Sequence, residues 1–200
     1  MEKLNILKHQ KLKEKDNYKN SNKNSSDSKF SETEASTTAQ TNLSIAFIKE
    51  ISNILNTIIS TNKKEKIKKS TNSPFNHDQI PKISIFDYLL RIKKYSGIEN
   101  STLIIALIYI DRICKKKIFL LTKYNIHRIL FTSILISIKN NEDIIYNNSY
   151  FSKIGGVDMN ELIILENHFL KIIDFELYVS DKLYNKYYNY INYNNIVESE

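Results

Sequence analysis

Read for the spacing of its apolar positions, the chain changes character at residue 43. Residues 1–42 are rich in Lys, Asn, Ser and Thr and carry few apolar side chains, too few to offset the entropy of ordering a backbone. This stretch is expected to be a disordered tail, with transient helix at most near Leu4 to Leu12. From Leu43 to Ile59, Ile48, Ile51, Leu55 and Ile58 recur at three- and four-residue steps with Lys49, Asn53 and Asn56 between them. That is the period of an amphipathic helix, assigned to 43–60, whose apolar face must dock on something. A basic linker over 61–79 follows, and its run from Lys63 to Lys69 reads as solvated charge rather than as a nuclear localisation signal.

After Pro81 the pattern becomes regular and start signals divide it into helices. Ser84 with Asp87 three residues later reads as a capping box; the helix behind it carries Ile85, Leu89 and Ile92 on one face and should end near Gly97. Ser101 caps a second, in which Leu103, Ile104, Leu107, Ile108 and Ile110 are apolar nearly all round, so it belongs in the centre of a bundle. Thr122 opens a third, through Ile126, Ile129, Leu130 and Ile134 to about Ile138, with small Ser133 and Ser137 permitting close approach. Asp158 and Glu161 form another capping box, ahead of the stripe Leu162, Leu165, Phe169, Ile172 and Ile173. Ser180 caps a last, tyrosine-rich helix to about Ile191.

Composition narrows this to one all-α domain with an extension. Two hundred residues, 42% hydrophobic, are too few for two cores of comparable size, and three Gly and two Pro leave few devices for hairpins. The net charge of +7 points weakly to nucleic acid, but the lysines sit in linker stretches rather than on one helix face, which disfavours that partner. Cys114 is the sole cysteine, so no intramolecular disulfide forms and a reducing compartment fits. The first thirty residues lack the apolar centre of a secretory signal, and the longest aliphatic run, Leu103 to Ile110, is too short to span a bilayer. A soluble intracellular protein, cytoplasmic or nuclear, with no membrane partner is expected.

Candidate chemistry is sparse. His9, His77, His127 and His168 are dispersed without a Cys or acidic cluster at ligand spacing, so no metal is expected. There is no glycine-rich phosphate loop and no nucleophile elbow; Gly155-Gly156 reads as turn chemistry. Tyr184, Tyr187, Tyr188, Tyr190 and Tyr193 are explained by helix packing and surface more simply than by stacking on bases. No catalytic residue and no cofactor is assigned.

Six stretches in order carry a resemblance. Ile83-Ser84-Ile85-Phe86-Asp87-Tyr88-Leu89-Leu90-Arg91-Ile92, then Tyr109-Ile110-Asp111-Arg112, then His127-Arg128-Ile129-Leu130 with Thr132-Ser133, resemble successive motifs of a P-type (Pho80-like) cyclin box. Tyr146-Asn147-Asn148 with Tyr150 to Val157, then Leu165-Glu166, then Asp174 to Ser180, continue it. The resemblance implies a single five-helix cyclin box over 80–193, preceded by the family's additional N-terminal helix and followed by a short tail, 194–200. It further implies a non-catalytic subunit that forms a heterodimer with a cyclin-dependent protein kinase. Such a subunit packs on the kinase αC helix, sets its glutamate against the strand β3 lysine and helps order the activation loop. The alternatives are a cyclin-fold scaffold and a nucleic-acid-associated protein, both without kinase activation.

Specific residues follow from that resemblance. Lys139 and Glu166 match the family's lysine and glutamate that contact the kinase. Glu166 also lies four residues after Leu162 and three before Phe169, at the border of a buried stripe, where a carboxylate wants a partner. An aromatic commonly follows the lysine; here Asn140 stands instead, which shifts apolar contact towards Ile136, Leu170 and Leu177. Arg91 and Asp111 match a pair that bridges the first two box helices and is read as structural. Glu142 and Asp143, after the third helix, form an acidic pair that reads equally well as solvated loop acids or as a contact for arginines of an activation segment.

Overall fold

The most apolar stretch of the sequence ends in the middle of the molecule. The computed structural model describes residues 32–62, 73–118, 120–143 and 146–197, the backbone alone at 32–42 and 193–197. Within them lie seven helices: α1 (Glu32–Asn62), α2 (Ile85–Ser96), α3 (Asn100–Lys115), α4 (Ile126–Asn141), α5 (Asn148–Gly155), α6 (Met159–Ile172) and α7 (Asp181–Val197). There is no strand among the described residues.

Helix α3, apolar on every side, packs along α4 as the central pair. The two small residues of α4 do what their size suggested. Ser133 donates to the Ala106 carbonyl at 2.6 Å and Ser137 to the Thr102 carbonyl at 3.0 Å. Each buried hydroxyl thereby finds an acceptor where a larger side chain would hold the helices apart. Around this pair, α6 covers α4, α7 covers α3, α2 packs against α1 and α5, and α1 lies against α2 and α7.

The helix ends follow local chemistry. The Ser84 hydroxyl accepts from the Asp87 N–H at 3.0 Å and donates to its carboxylate at 2.6 Å, and Gly97 closes α2 in the left-handed region at φ 68°. Ser180 accepts from the Leu183 N–H at 3.4 Å ahead of α7, which runs on to Val197 rather than stopping near Ile191. The expected 194–200 tail is thus helical as far as residue 197. Two other starts differ from expectation, and at a third the cap holds but its reciprocal partner does not. Helix α3 begins after Glu99 with Ser101 inside its first turn. Helix α4 begins after Asn125, because Thr122 belongs to a separate turn: the Asn125 side chain accepts from the Thr122 N–H at 2.8 Å and donates to the Leu120 carbonyl at 2.9 Å. At α6, Asp158 caps through the Asn160 N–H at 2.8 Å, but Glu161 turns away to pair with Arg128.

Helix α5 was not expected from the pattern. Asn147 opens it, accepting from the Tyr150 N–H at 2.9 Å, and Gly156 closes it at φ 69°. Gly155 is its last helical residue rather than part of a turn, and its bare Cα faces the Phe131 ring of α4.

The N-terminal helix is longer than 43–60. It starts at Glu32, so the expected tail is helical over 32–42; that stretch contains Ala35, Ala39 and Gln40, acidic residues at its start and no Pro or Gly. Extending a helix that is already nucleated by a docked segment avoids the nucleation cost, and the acidic start suits the helix dipole, which offsets the weak helix propensity of its four Thr, Ser36 and Asn42. By length and composition Leu43–Asn62 could cross a membrane, a window longer than the run judged from sequence. From Phe47 onward its large apolar side chains are instead committed to the core: Phe47, Ile48, Ile51, Leu55 and Ile59 are buried, while Leu43 and Ile45 are exposed. Residues 1–31 and the Lys63 to Lys69 run lie outside the described residues. The end of the expected linker is docked, since Phe75 is fully buried edge-on to Phe169 with ring centroids 6.2 Å apart. Arg128 holds that segment by donating to the Pro74 and Asn76 carbonyls at 3.2 and 2.6 Å.

Candidate functional site

Packing of α6 on α4 brings the last turn of α4 beside the middle of α6, and there the two charges singled out in sequence meet. Lys139 Nζ donates to both oxygens of Glu166, at 2.7 and 2.8 Å. The pair is neither buried nor free: the side chains are 29% and 16% exposed. Glu166 occupies the border of the Leu162–Leu165–Phe169 stripe, all three of which are buried, so its carboxylate emerges at the edge of the core and takes the nearest cation. A part-exposed pair of this kind keeps outward-facing donor and acceptor capacity.

Apolar side chains flank it. Ile163, three residues before Glu166 and 40% exposed, and Leu170, four residues after and half-buried, share its face of α6. Beyond the end of α6 the chain turns through two consecutive left-handed residues, Asp174 and Phe175 at φ 56° and 55°, leaving Phe175 66% and Tyr178 80% exposed. This loop is pinned. Arg112 donates to the Glu176 carbonyl and to that of Tyr178 at 2.7 Å, and the Tyr109 hydroxyl donates to the Leu177 carbonyl at 2.9 Å. Burial raises the Tyr109 pKa above its ordinary value, keeping that donor protonated. Asn140 is exposed next to Lys139 with its amide 3.5 Å from the Tyr109 hydroxyl, which ties the loop, α3 and the Lys139 turn together. Exposed apolar side chains gathered beside a part-exposed ion pair offer a surface for a protein partner.

Of the residues expected at this face, Lys139, Glu166, Leu170 and Leu177 are present, the last two half-buried against the core. Ile136 is not: it is 2% exposed on the inner side of α4, so it supports the fold instead of contacting a partner. Glu142 ends α4 and accepts from the Thr102 hydroxyl, while Asp143 is exposed. The Arg91–Asp111 bridge is corrected, since the two residues point to different neighbours. Arg91, on the exposed side of α2, donates to the Lys153 carbonyl of α5 at 2.9 Å. Asp111 is buried towards α7, accepting from the Tyr187 hydroxyl at 2.9 Å with Lys115 at 3.3 Å. Burial and the Asp111 charge push the Tyr187 phenol far up, so it stays a donor. Ile163, Phe175 and Tyr178 were missed in sequence; Ile163 and Ile164, both apolar and both off the buried stripe, were the available signal. No cluster of metal-ligating side chains exists among the described residues.

This arrangement, a central apolar helix wrapped by amphipathic ones with a longer helix in front, defines a cyclin box, and the family model described as Cyclin matches residues 8–177. The chain belongs to the cyclin family. Its relatives put it with the P-type, Pho80-like members. It is 44% identical over 108 residues to Cyclin-U4-3 of Arabidopsis thaliana, covering 54% of this chain and 49% of that protein. It is 38% identical over 122 residues to PHO85 cyclin-7 of Saccharomyces cerevisiae, covering 55% and 43%. It is 39% identical over 108 residues to Cyclin-P4-1 of Oryza sativa subsp. japonica, covering 54% and 51%. The chain thus spans about half the length of the curated relatives it matches.

Proposed function

We propose that this chain is the regulatory, non-catalytic subunit of a heterodimer with a cyclin-dependent protein kinase, which it binds and activates inside the cell, in the cytoplasm or nucleus. The observation that carries this reading is the Lys139–Glu166 pair, held bidentate at 2.7 and 2.8 Å and flanked by exposed apolar side chains of α6 and the loop after it. Membership of the cyclin family and the name of the yeast relative, a PHO85 cyclin, support a kinase as the occupant of that face. The chain supplies no reacting group. Its contribution is differential binding: contacts made only with the active arrangement of the kinase shift its equilibrium by their free energy.

The test is affinity capture of the tagged full chain from its own cells, identification of any co-purifying kinase, and reconstitution of the pair from purified components. The expected result is a one-to-one complex whose phosphoryl-transfer rate far exceeds that of the kinase alone. A kinase that binds without gain in rate would make the chain a scaffold. Capture of nucleic acid in place of a kinase would support the other alternative.

A further inference from the structure

A second surface lies away from the α4–α6 face, where α2 and α5 diverge to form an open groove of about 570 Å³. Its lining has a polarity of its own. Arg91 and Lys94 of α2 and Lys153 of α5 stand around it, all exposed, and no Asp or Glu lines it. The floor is apolar, made by Leu90 and by Ile154, which is buried, with Tyr95 and Tyr150 as exposed aromatic walls. The three cationic heads make no ion pair among the described residues, and Lys94 Nζ lies over the Tyr95 ring, 5.5 Å from its centroid. The Tyr150 hydroxyl donates to the Tyr95 carbonyl at 2.7 Å, and Arg91 uses one guanidinium nitrogen on the Lys153 carbonyl at 2.9 Å. Asp87, one turn before Arg91 on α2, is engaged by the Ser84 hydroxyl, so it does not neutralise this cluster by a close ion pair.

We propose that this groove is a docking site for a phosphorylated peptide segment of a partner protein, with the phosphate at the Arg91–Lys94–Lys153 rim and an adjacent apolar residue on Leu90 and Ile154. Charge complementarity selects the occupant. A phosphoserine or phosphothreonine carries close to two negative charges and three acceptor oxygens, matching three cations better than a single carboxylate does, and a guanidinium with free nitrogens can take two of those oxygens at once. A free inorganic ion would leave the apolar floor and the tyrosine walls unused. An extended polyanion would leave most of its charge outside a groove of this size. The site is separate from the kinase face proposed above and does not depend on it.

The experiment uses the full chain and an array of twelve-residue peptides with a central phosphoserine or phosphothreonine and degenerate flanks. The strongest binder is then measured by fluorescence anisotropy in phosphorylated and unphosphorylated forms. The phosphorylated form should bind at least tenfold tighter, lose affinity as salt rises, and lose at least tenfold in Lys94→Glu/Lys153→Glu, with the melting temperature unchanged because both side chains are exposed. Should the charge reversal disturb α5, the neutral pair Lys94→Gln/Lys153→Gln takes its place, with a smaller loss expected. Equal affinity for the two peptide forms, or full affinity in a folded variant, would overturn the proposal. So would displacement of the peptide by duplex DNA or by anionic phosphatidylserine vesicles at matched charge concentration, since the cations would then be a general anion surface.

Discussion

At Lys139 and Glu166 two magnitudes separate a structural role from an interface role. Because the pair is part-exposed, breaking it in the isolated chain should cost no more than about 1 kcal/mol. At a desolvated interface, stranding one charge typically costs about 2 to 5 kcal/mol. Lys139→Ala and Glu166→Ala should therefore each melt close to the parent chain while kinase affinity falls thirtyfold or more; normal binding by both variants would place the kinase elsewhere. A titration offers a second test at this scale. His127 is buried, its Nε2–H donates to the Ile83 carbonyl at 3.0 Å, and its Nδ1 has no partner among the described residues. Burial lowers its pKa below the usual 6.5, the Ile83 bond opposes this, and His77 adds to the lowering. His77 and His168 are lowered too, again chiefly by burial. The folded chain thus prefers neutral rings that the unfolded chain protonates near 6.5. Their contribution is whole above that pH and is lost as pH falls through the folded values. Melting temperature should drop on acidification from pH 7 to pH 5, and the drop should shrink in His127→Gln; an unchanged slope would remove His127 as a cause.

Between helices, how much could be read in advance depended on length. Helices of three or more turns repeat their apolar positions often enough to show a stripe, and α2, α3, α4 and α6 were all legible. The eight residues of α5 make about two turns, and with Phe151 and Ile154 as the buried apolar side chains among them no period emerges. Which helix a face meets is also absent from spacing: Asp111 could be put on an inward face, but that it meets Tyr187 of α7 and not Arg91 of α2 depends on chain connections far apart. The resemblance singled out Lys139 and Glu166 as kinase contacts, but that they pair with each other came only from the fold. Helix α5 still makes a sharp claim of its own. A Cβ built on Gly155 falls within 2.7 Å of three atoms of the buried Phe131 ring, so Gly155→Ala overpacks the α4–α5 contact at a cost of about 1 to 3 kcal/mol. For a chain of this size that is roughly 2 to 4 °C of melting temperature per kcal/mol. Adding Phe131→Leu should recover part of the loss, a coupling that a double-mutant cycle reads directly; simple additivity would show that the ring yields without strain.

Across the whole molecule, the question left by the sequence was what covers the apolar face of the N-terminal helix, and the fold answers it with α2 and α7. The two faces of α1 are sharply different: Ile51 and Leu55 are 1% and 0% exposed, while Asn53 and Asn56 are exposed. Domains of this size are stable by only about 5 to 15 kcal/mol, and truncating one buried Ile or Leu typically costs about 2 to 5. A charge at either position adds an unpaired ion to that loss. Ile51→Glu/Leu55→Glu should therefore unfold the chain or bring its melting temperature down by more than 10 °C, whereas Asn53→Ala should leave it within about 0.5 kcal/mol of the parent. The milder Ile51→Ala keeps enough structure for a binding measurement, and it distinguishes support from contact. Because α1 packs on α2 and α7 rather than on the α4–α6 face, kinase affinity per folded molecule should be unchanged in Ile51→Ala below its melting transition. If instead affinity falls while thermal stability holds, α1 is part of the partner surface, and the α4–α6 face is not the whole of the kinase contact.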